Sequence, residues 1–221
     1  MAVAGATRLA QQTGFGLVQV LEARRLRLGV SVLPLDLPRE HLTSVVRLPV
    51  ELGEVLVEAA RRLPGAASHY LYVPTDVHLT VLNLDAQGAG ACRVEAVAAA
   101  MRGTGSFPVV LRGFGVSRQS IYARAYDPTA GLWRLRGRVA QVVGVRPPLP
   151  LRLLGFVNVL RFGHSRVQEV IAGVAAAGGA SPIAGAFRAQ CVQIVRTDKL
   201  LSREGTELLQ RVELSEDSPA D

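Results

Sequence analysis

The sequence predicts an α+β fold of two pseudo-symmetric lobes, each an antiparallel sheet with helices on its outer face, around a central cleft. Three observations carry that prediction. Segments with strand period and segments with helix period follow one another from residue 44 to residue 214. The order of elements in the second half resembles that in the first, with no sequence repeat at a fixed period. Of the 221 residues 49% are hydrophobic, which is ample for a core of this size.

Residues 1–40 read as an N-terminal extension, partly helical, and residues 41–221 as the main domain. In the extension Leu17, Val20, Leu21 and Leu28 recur on one side of a helix, with Arg24, Arg25 and Arg27 opposite or flanking, before a Pro-punctuated segment at 33–38. The domain opens with a strand over 44–49 and a helix on Leu52, Val55, Leu56, Ala59 and Leu63, ended by Pro64 and Gly65. Segments 70–73 and 77–84 read as strands around Pro74, Thr75 and Asp76, and are natural hairpin partners. Val94, Val97, Ala98 and Met101 then form a helical stripe closed by Gly103 and Gly105.

The second half begins with strands at 107–112 and 121–126 and a helix buried through Leu132, Leu135, Val139 and Val142. A strand from 151 to 162, a short helix on Val167, Val170, Ile171 and Val174, and strands at 187–195 and 208–214 complete it. Arg134, Arg136 and Arg138 fall around the outer face of the 132–142 helix and read as a solvated face. Gly113-Phe114-Gly115 and Gly88-Ala89-Gly90 lack the rest of any dinucleotide or P-loop fingerprint and read as turn glycines.

Composition narrows the function classes. The net charge is +7, and Lys199 is the single lysine. Arginine grips phosphate with two donors, so a phosphate-bearing partner fits, although a GC-rich genome gives any protein the same bias. Cys92 and Cys191 have neither disulfide-framework nor zinc spacing, and no cofactor or metal is expected. Residues 1–8 lack a basic start followed by a long apolar core, so a cytoplasmic location is expected. The uncharged stretch 170–187 is built of Ala and Gly and broken by Gly178, Gly179 and Pro182. It reads as a helix end plus a loop, with no membrane partner.

The most informative short segment is His78-Leu79-Thr80-Val81-Leu82. Residues two apart on a strand face the same way, so His78 and Thr80 present a proton-transfer group and a hydroxyl to one side. His41 and His69 have no evident partner at ligand spacing. Tyr122 and Arg124, two apart on one strand, are candidates to stack a base and hold a phosphate at the cleft rim, against an ordinary half-exposed strand face.

The 44–214 region, with Val-Pro-Thr-Asp-Val-His-Leu-Thr at 73–80, resembles the two-histidine (2H) phosphoesterases, among them the bacterial RNA 2',3'-cyclic phosphodiesterases also called 2'-5' RNA ligases. The resemblance implies a His-x-Thr/Ser motif from each lobe meeting over a phosphodiester. One histidine acts as base and the other as acid, the hydroxyls hold phosphate oxygens, and no metal takes part. His78 and Thr80 fill the first motif. The second, His-x-Thr-x-x-Arg in the family, falls on Phe156, Asn158 and Arg161. Asn158 and Arg161 retain phosphate-binding capacity, whereas Phe156 transfers no proton and leaves only a rim or stacking role. His164 is a candidate to swing into the cleft in its place, against a surface or helix-start histidine.

Three readings follow. One is a 2H-like protein binding an RNA end or small nucleotide, with hydrolysis weak or absent. Another is an active metal-independent cyclic phosphodiesterase using His78. The last is a non-catalytic interaction domain whose N-terminal extension covers or extends the cleft.

Overall fold

The computed structural model describes residues 2–27, 41–85, 94–146, 153–177, 184–198, 200–202 and 204–216. In chain order the elements are α1 (Ala2–Arg27), β1 (His41–Arg47), α2 (Val50–Arg61), β2 (Tyr70–Leu71), β3 (His78–Asn83), α3 (Val94–Met101), β4 (Phe107–Val116), β5 (Ser120–Tyr126), α4 (Gly131–Val143), β6 (Gly155–Arg161), α5 (Gln168–Ala176), β7 (Ala184–Ala189), β8 (Cys191–Thr197) and β9 (Thr206–Glu213). The expected 33–38 segment, Leu28, Gly88-Ala89-Gly90, Cys92, Gly178, Gly179, Pro182 and Lys199 lie outside the described residues. No helix among the described residues is long and apolar enough to cross a membrane.

The strands form one curled antiparallel sheet in the order β7-β4-β5-β6-β3-β1-β8-β9, with β2 pairing β6 off that path. Each lobe is one flank of this sheet. Its alternating residues follow from the strand period: Leu79, Val81, Val157, Ile121 and Ala123 are buried in one core with Leu56 and Val57 of α2, Val97 and Met101 of α3, Leu135 and Val139 of α4, and Val170 of α5. Helices α2–α5 therefore cover one face, and the residues alternating with this core set point to the other.

The lobes do not coincide with the sequence halves. The 187–195 segment, expected as one strand, divides at Gln190: β7 pairs with β4 in the second lobe, whereas β8 pairs with β1 in the first. A single residue bridges flanks that stand far apart in the strand order, which requires the sheet to curl. The Gln190 carbonyl accepts from Leu214 N at 2.7 Å, which holds the crossing to the end of β9.

Two other expectations are corrected. Segments 70–73 and 77–84 do not form a hairpin, because both edges of β3 are taken by β1 and β6, and β2 pairs with β6 through Tyr70–Arg161 and Leu71–Leu160. Pro74–Asp76 instead makes a short 3-10 turn that aims β3 into the sheet. Gly113-Phe114-Gly115 is no turn but the middle of β4, where the register with β5 slips between Arg112 and Phe114. Gly113 sits at φ 56°, a conformation glycine adopts without a Cβ penalty, and so permits the bulge.

The lobes meet where β3 pairs with β6 through the one register pair Leu79–Val157. Arg136 secures this seam. Expected on a solvated face, it is buried, and its guanidinium donates to three backbone carbonyls: Nε to Val81 O at 2.7 Å, Nη2 to Thr80 O at 2.7 Å and Nη1 to Leu154 O at 2.6 Å. Burial lowers its pKa to about 10, opposed by the nearby Asp127 carboxylate, so it stays charged at neutral pH. Asp127 in turn accepts from Leu132 N at 2.7 Å, fixing the start of α4 and with it the position of Arg136.

Replacing Arg136 with Ala strands three buried acceptors at about 1–3 kcal/mol each. Arg136→Ala is expected to lose at least about 3 kcal/mol of stability, read as a lower urea midpoint. Arg136→Lys recovers little of it, because one ammonium does not reproduce the planar fork.

Candidate functional site at the lobe seam

The face of the sheet away from α2–α5 carries the site. Leu79 and Val157 stand opposite one another and point into the core, so His78 and Thr80 on β3 and Phe156 and Asn158 on β6 project to the other side. Arg161, three residues after Asn158, would fall on the core side of a regular strand. It does not, because Tyr122 pairs with Asn158 whereas Ile121 pairs with Leu160, leaving Val159 as an extra residue in β6. The bulge explains why an x-x spacing before the arginine suits a strand motif.

His78 is buried, 2% exposed, and its Nδ1 lies 2.8 Å from Asp76 O. A carbonyl only accepts, so Nδ1 carries the hydrogen and Nε2 keeps its lone pair. Arg47 Nη1 donates to the same carbonyl at 2.9 Å. Burial, followed by the positive charges of Arg47, Arg161 and His41, pulls the His78 pKa down to about 4, against the hydrogen bond to Asp76 that raises it. The imidazole is therefore neutral at physiological pH and suited to accept a proton.

Arg161 is held by Tyr72 and Gln119: its Nε donates to Tyr72 Oη at 3.2 Å and its Nη1 to Gln119 Oε1 at 3.2 Å. The Tyr72 ring meets His78 edge-on at 6.0 Å, linking the two motifs. Asn158 Oδ1 accepts from Ser120 Oγ at 2.8 Å, which fixes the orientation of its amide. Thr80 is half-buried beside them, its backbone fixed by Arg136.

The remaining expected residues are packed against the protein itself. Tyr122 is not at an open rim. It is 2% exposed and lies so close to Gly115 that a Cβ there would stand 2.6 Å from its hydroxyl. Burial pushes its pKa up to about 12. Arg124 Nη2 donates to Phe114 O at 2.7 Å. Phe156 packs edge-on against Tyr122 at 4.9 Å. His164 does not stand in for a second histidine here: its ring lies 4.5 Å from His69, and its Nδ1 accepts from Arg166 N at 2.9 Å. Burial and His164 lower the His69 pKa. Among the described residues no three His, Cys, Asp or Glu side chains converge as a metal site requires.

The helix expected in the N-terminal extension is α1, but it seats on a face other than the expected one. It runs antiparallel to β5 on the site face, with Gln11 Nε2 donating to Asp127 O at 3.0 Å and Leu153 O at 3.2 Å, and Glu22 Oε2 accepting from Arg118 N at 2.9 Å. Between them Phe15, 1% exposed, packs with Tyr122, Leu154 and Phe156. The expected stripe of Leu17, Val20 and Leu21 faces solvent instead. The seated stripe of Gln11, Phe15, Val18 and Glu22 has helical spacing but is half polar, so an apolar count passes over it.

No family model and no curated protein sequence matches the chain. Solved structures do. Escherichia coli LigT complexed with NADP+ is similar at a TM-score of 0.56 and 18% identity, covering 80% of this chain and 98% of its own. The same protein complexed with 3'-AMP gives 0.54 and 18%, covering 81% and 99%. TT0787 of Thermus thermophilus gives 0.54 and 19%, covering 80% and 100%. The chain thus shares the fold of these proteins, the fold that its resemblance to the two-histidine phosphoesterases implied.

A histidine whose folded pKa is depressed binds its proton less readily than the unfolded chain does. Stability is accordingly lost as pH falls from about 6.5 toward 4. Chemical denaturation across that range is expected to show this loss in the wild type and less of it in His78→Gln. In NMR the His78 ring is expected to titrate near pH 4 with its hydrogen on Nδ1.

Proposed function

We propose that this chain binds the phosphate of an RNA end or small nucleotide between His78 and Thr80 on one lobe and Asn158 and Arg161 on the other, with hydrolysis weak or absent. The observation carrying this reading is the β3–β6 seam, where the neutral His78, the amide of Asn158 and the guanidinium of Arg161 share one sheet face, and the resemblance puts Phe156 where the second histidine would stand. That LigT, a protein of this fold, is complexed with NADP+ and with 3'-AMP supports a nucleotide ligand.

The chemistry follows from the groups present. Arg161 supplies charge and a directional N–H, and Asn158 a neutral donor, to two phosphate oxygens. His78 Nε2 accepts a proton from an attacking water or hydroxyl. Opening a cyclic phosphodiester also requires a proton delivered to the departing oxygen, and Phe156 has none to give. Loss of one positioned acid typically costs about 10² to 10⁴ in rate, which leaves binding intact and turnover slow.

Phosphorus NMR with an oligonucleotide ending in a 2',3'-cyclic phosphate tests this. Wild type is expected to bind without opening the ring appreciably, and Phe156→His to gain turnover. Arg161→Ala is expected to weaken binding about tenfold or more, the scale of a lost charged hydrogen bond. Ring opening by wild type that His78→Ala abolishes would instead establish an active phosphodiesterase. Absence of binding in every variant would leave the interaction-domain reading.

A further inference from the structure

The geometry points to Phe15 as a specificity-determining residue that occupies the seat of a nucleotide base. With α1 docked the site admits a phosphate group, and a nucleotide enters in full only when α1 lifts. This inference rests on the phosphate-binding reading above and adds what governs access to it.

The aromatic cluster adjoins the phosphate donors. Tyr122 is the direct cross-strand partner of Asn158, and Arg124 that of Phe156, so all four share one face. Onto this surface Phe15 sets its ring 5.7 Å from Phe156 and 5.0 Å from Tyr126. A purine ring has the size, flatness and polarizability of a phenyl group and stacks on the same aromatic faces. Any ligand gripping Asn158 and Arg161 and extending its base toward Tyr122 meets Phe15 there.

The seat of α1 is poorly completed. Gln11 Oε1, Tyr122 Oη and Arg124 Nε, all on or facing the strand surface under α1, are buried without a hydrogen-bond partner among the described residues. Such atoms favour a state in which water or a ligand reaches them. Apolar anchoring is thin as well: Phe15, with Gly14 against Leu154 and the half-buried Val18, carries it, while Leu9, Leu17, Val20 and Leu21 face solvent. Removing the Phe15 ring takes away the main apolar hold and vacates the aromatic seat together.

The test compares full-length wild type, Phe15→Ala and Leu17→Ala by calorimetric titration with inorganic phosphate and with adenosine 3'-monophosphate. Phe15→Ala is expected to bind the nucleotide at least about tenfold more tightly than wild type, the order of one base-stacking contact. Phosphate affinity should stay the same in all three proteins, and Leu17→Ala should match wild type throughout. In Phe15→Ala, spectrophotometric titration should also bring one tyrosine down from about 12 toward 10 as Tyr122 meets water. Gln11→Ala, which removes two side-chain hydrogen bonds that seat α1, supplies the comparison of a loosened helix if Phe15→Ala does not fold. Equal nucleotide affinity in wild type and variant, with phosphate bound by both, would overturn the role of Phe15 and leave the phosphate site standing. Failure of every protein to bind phosphate or nucleotide would overturn the phosphate site, and the role of Phe15 with it.

Discussion

The guanidinium of Arg136 is the constraint on which the arrangement of this protein depends. Antiparallel strands ordinarily hold each other through a ladder, yet β3 and β6 share one register pair before they diverge into separate lobes. Backbone carbonyls beside that pair lie within reach of α4. Arg136 reaches from α4 to three of them and satisfies all three with donors in a single plane. Because two of its acceptors belong to Thr80 and Val81, the same contacts fix the backbone of the first motif against the second. Structure and site thus share one buried cation, and the distance between His78 and Asn158 is set from behind the sheet.

How much of this was legible in the sequence depended on whether the signal was local. Periodicity located nearly every strand and helix, because burial on one face leaves a residue-by-residue trace. Pairing left none. The 70–73 and 77–84 segments look like a hairpin, and only the competing claims of β1 and β6 on β3 decide otherwise. Gly113 and Gly115 have the composition of a turn but serve a bulge and the close packing of Tyr122. Arg136 resembles its neighbours Arg134 and Arg138 in every local respect, and its burial is a tertiary fact.

The site shows the same division. His78, Thr80, Asn158 and Arg161 were recognisable as a motif set, and the structure brings them to one face through a bulge at Val159 that spacing alone does not disclose. Phe15 was invisible for the opposite reason. An apolar count favours Leu17, Val20 and Leu21, whereas α1 docks by one aromatic ring and two polar side chains. Docking there is decided by what the opposing strand offers: backbone groups at both ends and an aromatic patch in the middle.

The crossing at Gln190 bears on how the chain comes to be folded at all. Strands β4 to β7, spanning residues 107–189, are contiguous in sequence and form a unit whose parts emerge together during synthesis. The first lobe has no such continuity. Strands β1 and β3 are made early, but β8, which pairs with β1, and β9, which pairs with β8, follow the whole second lobe in sequence. Until residue 197 has left the ribosome, the outer edge of β1 stands open, an unpaired row of amides and carbonyls awaiting β8. The second lobe is thus complete in sequence before β8 follows, and the edge of β1 has to wait through its synthesis for a partner.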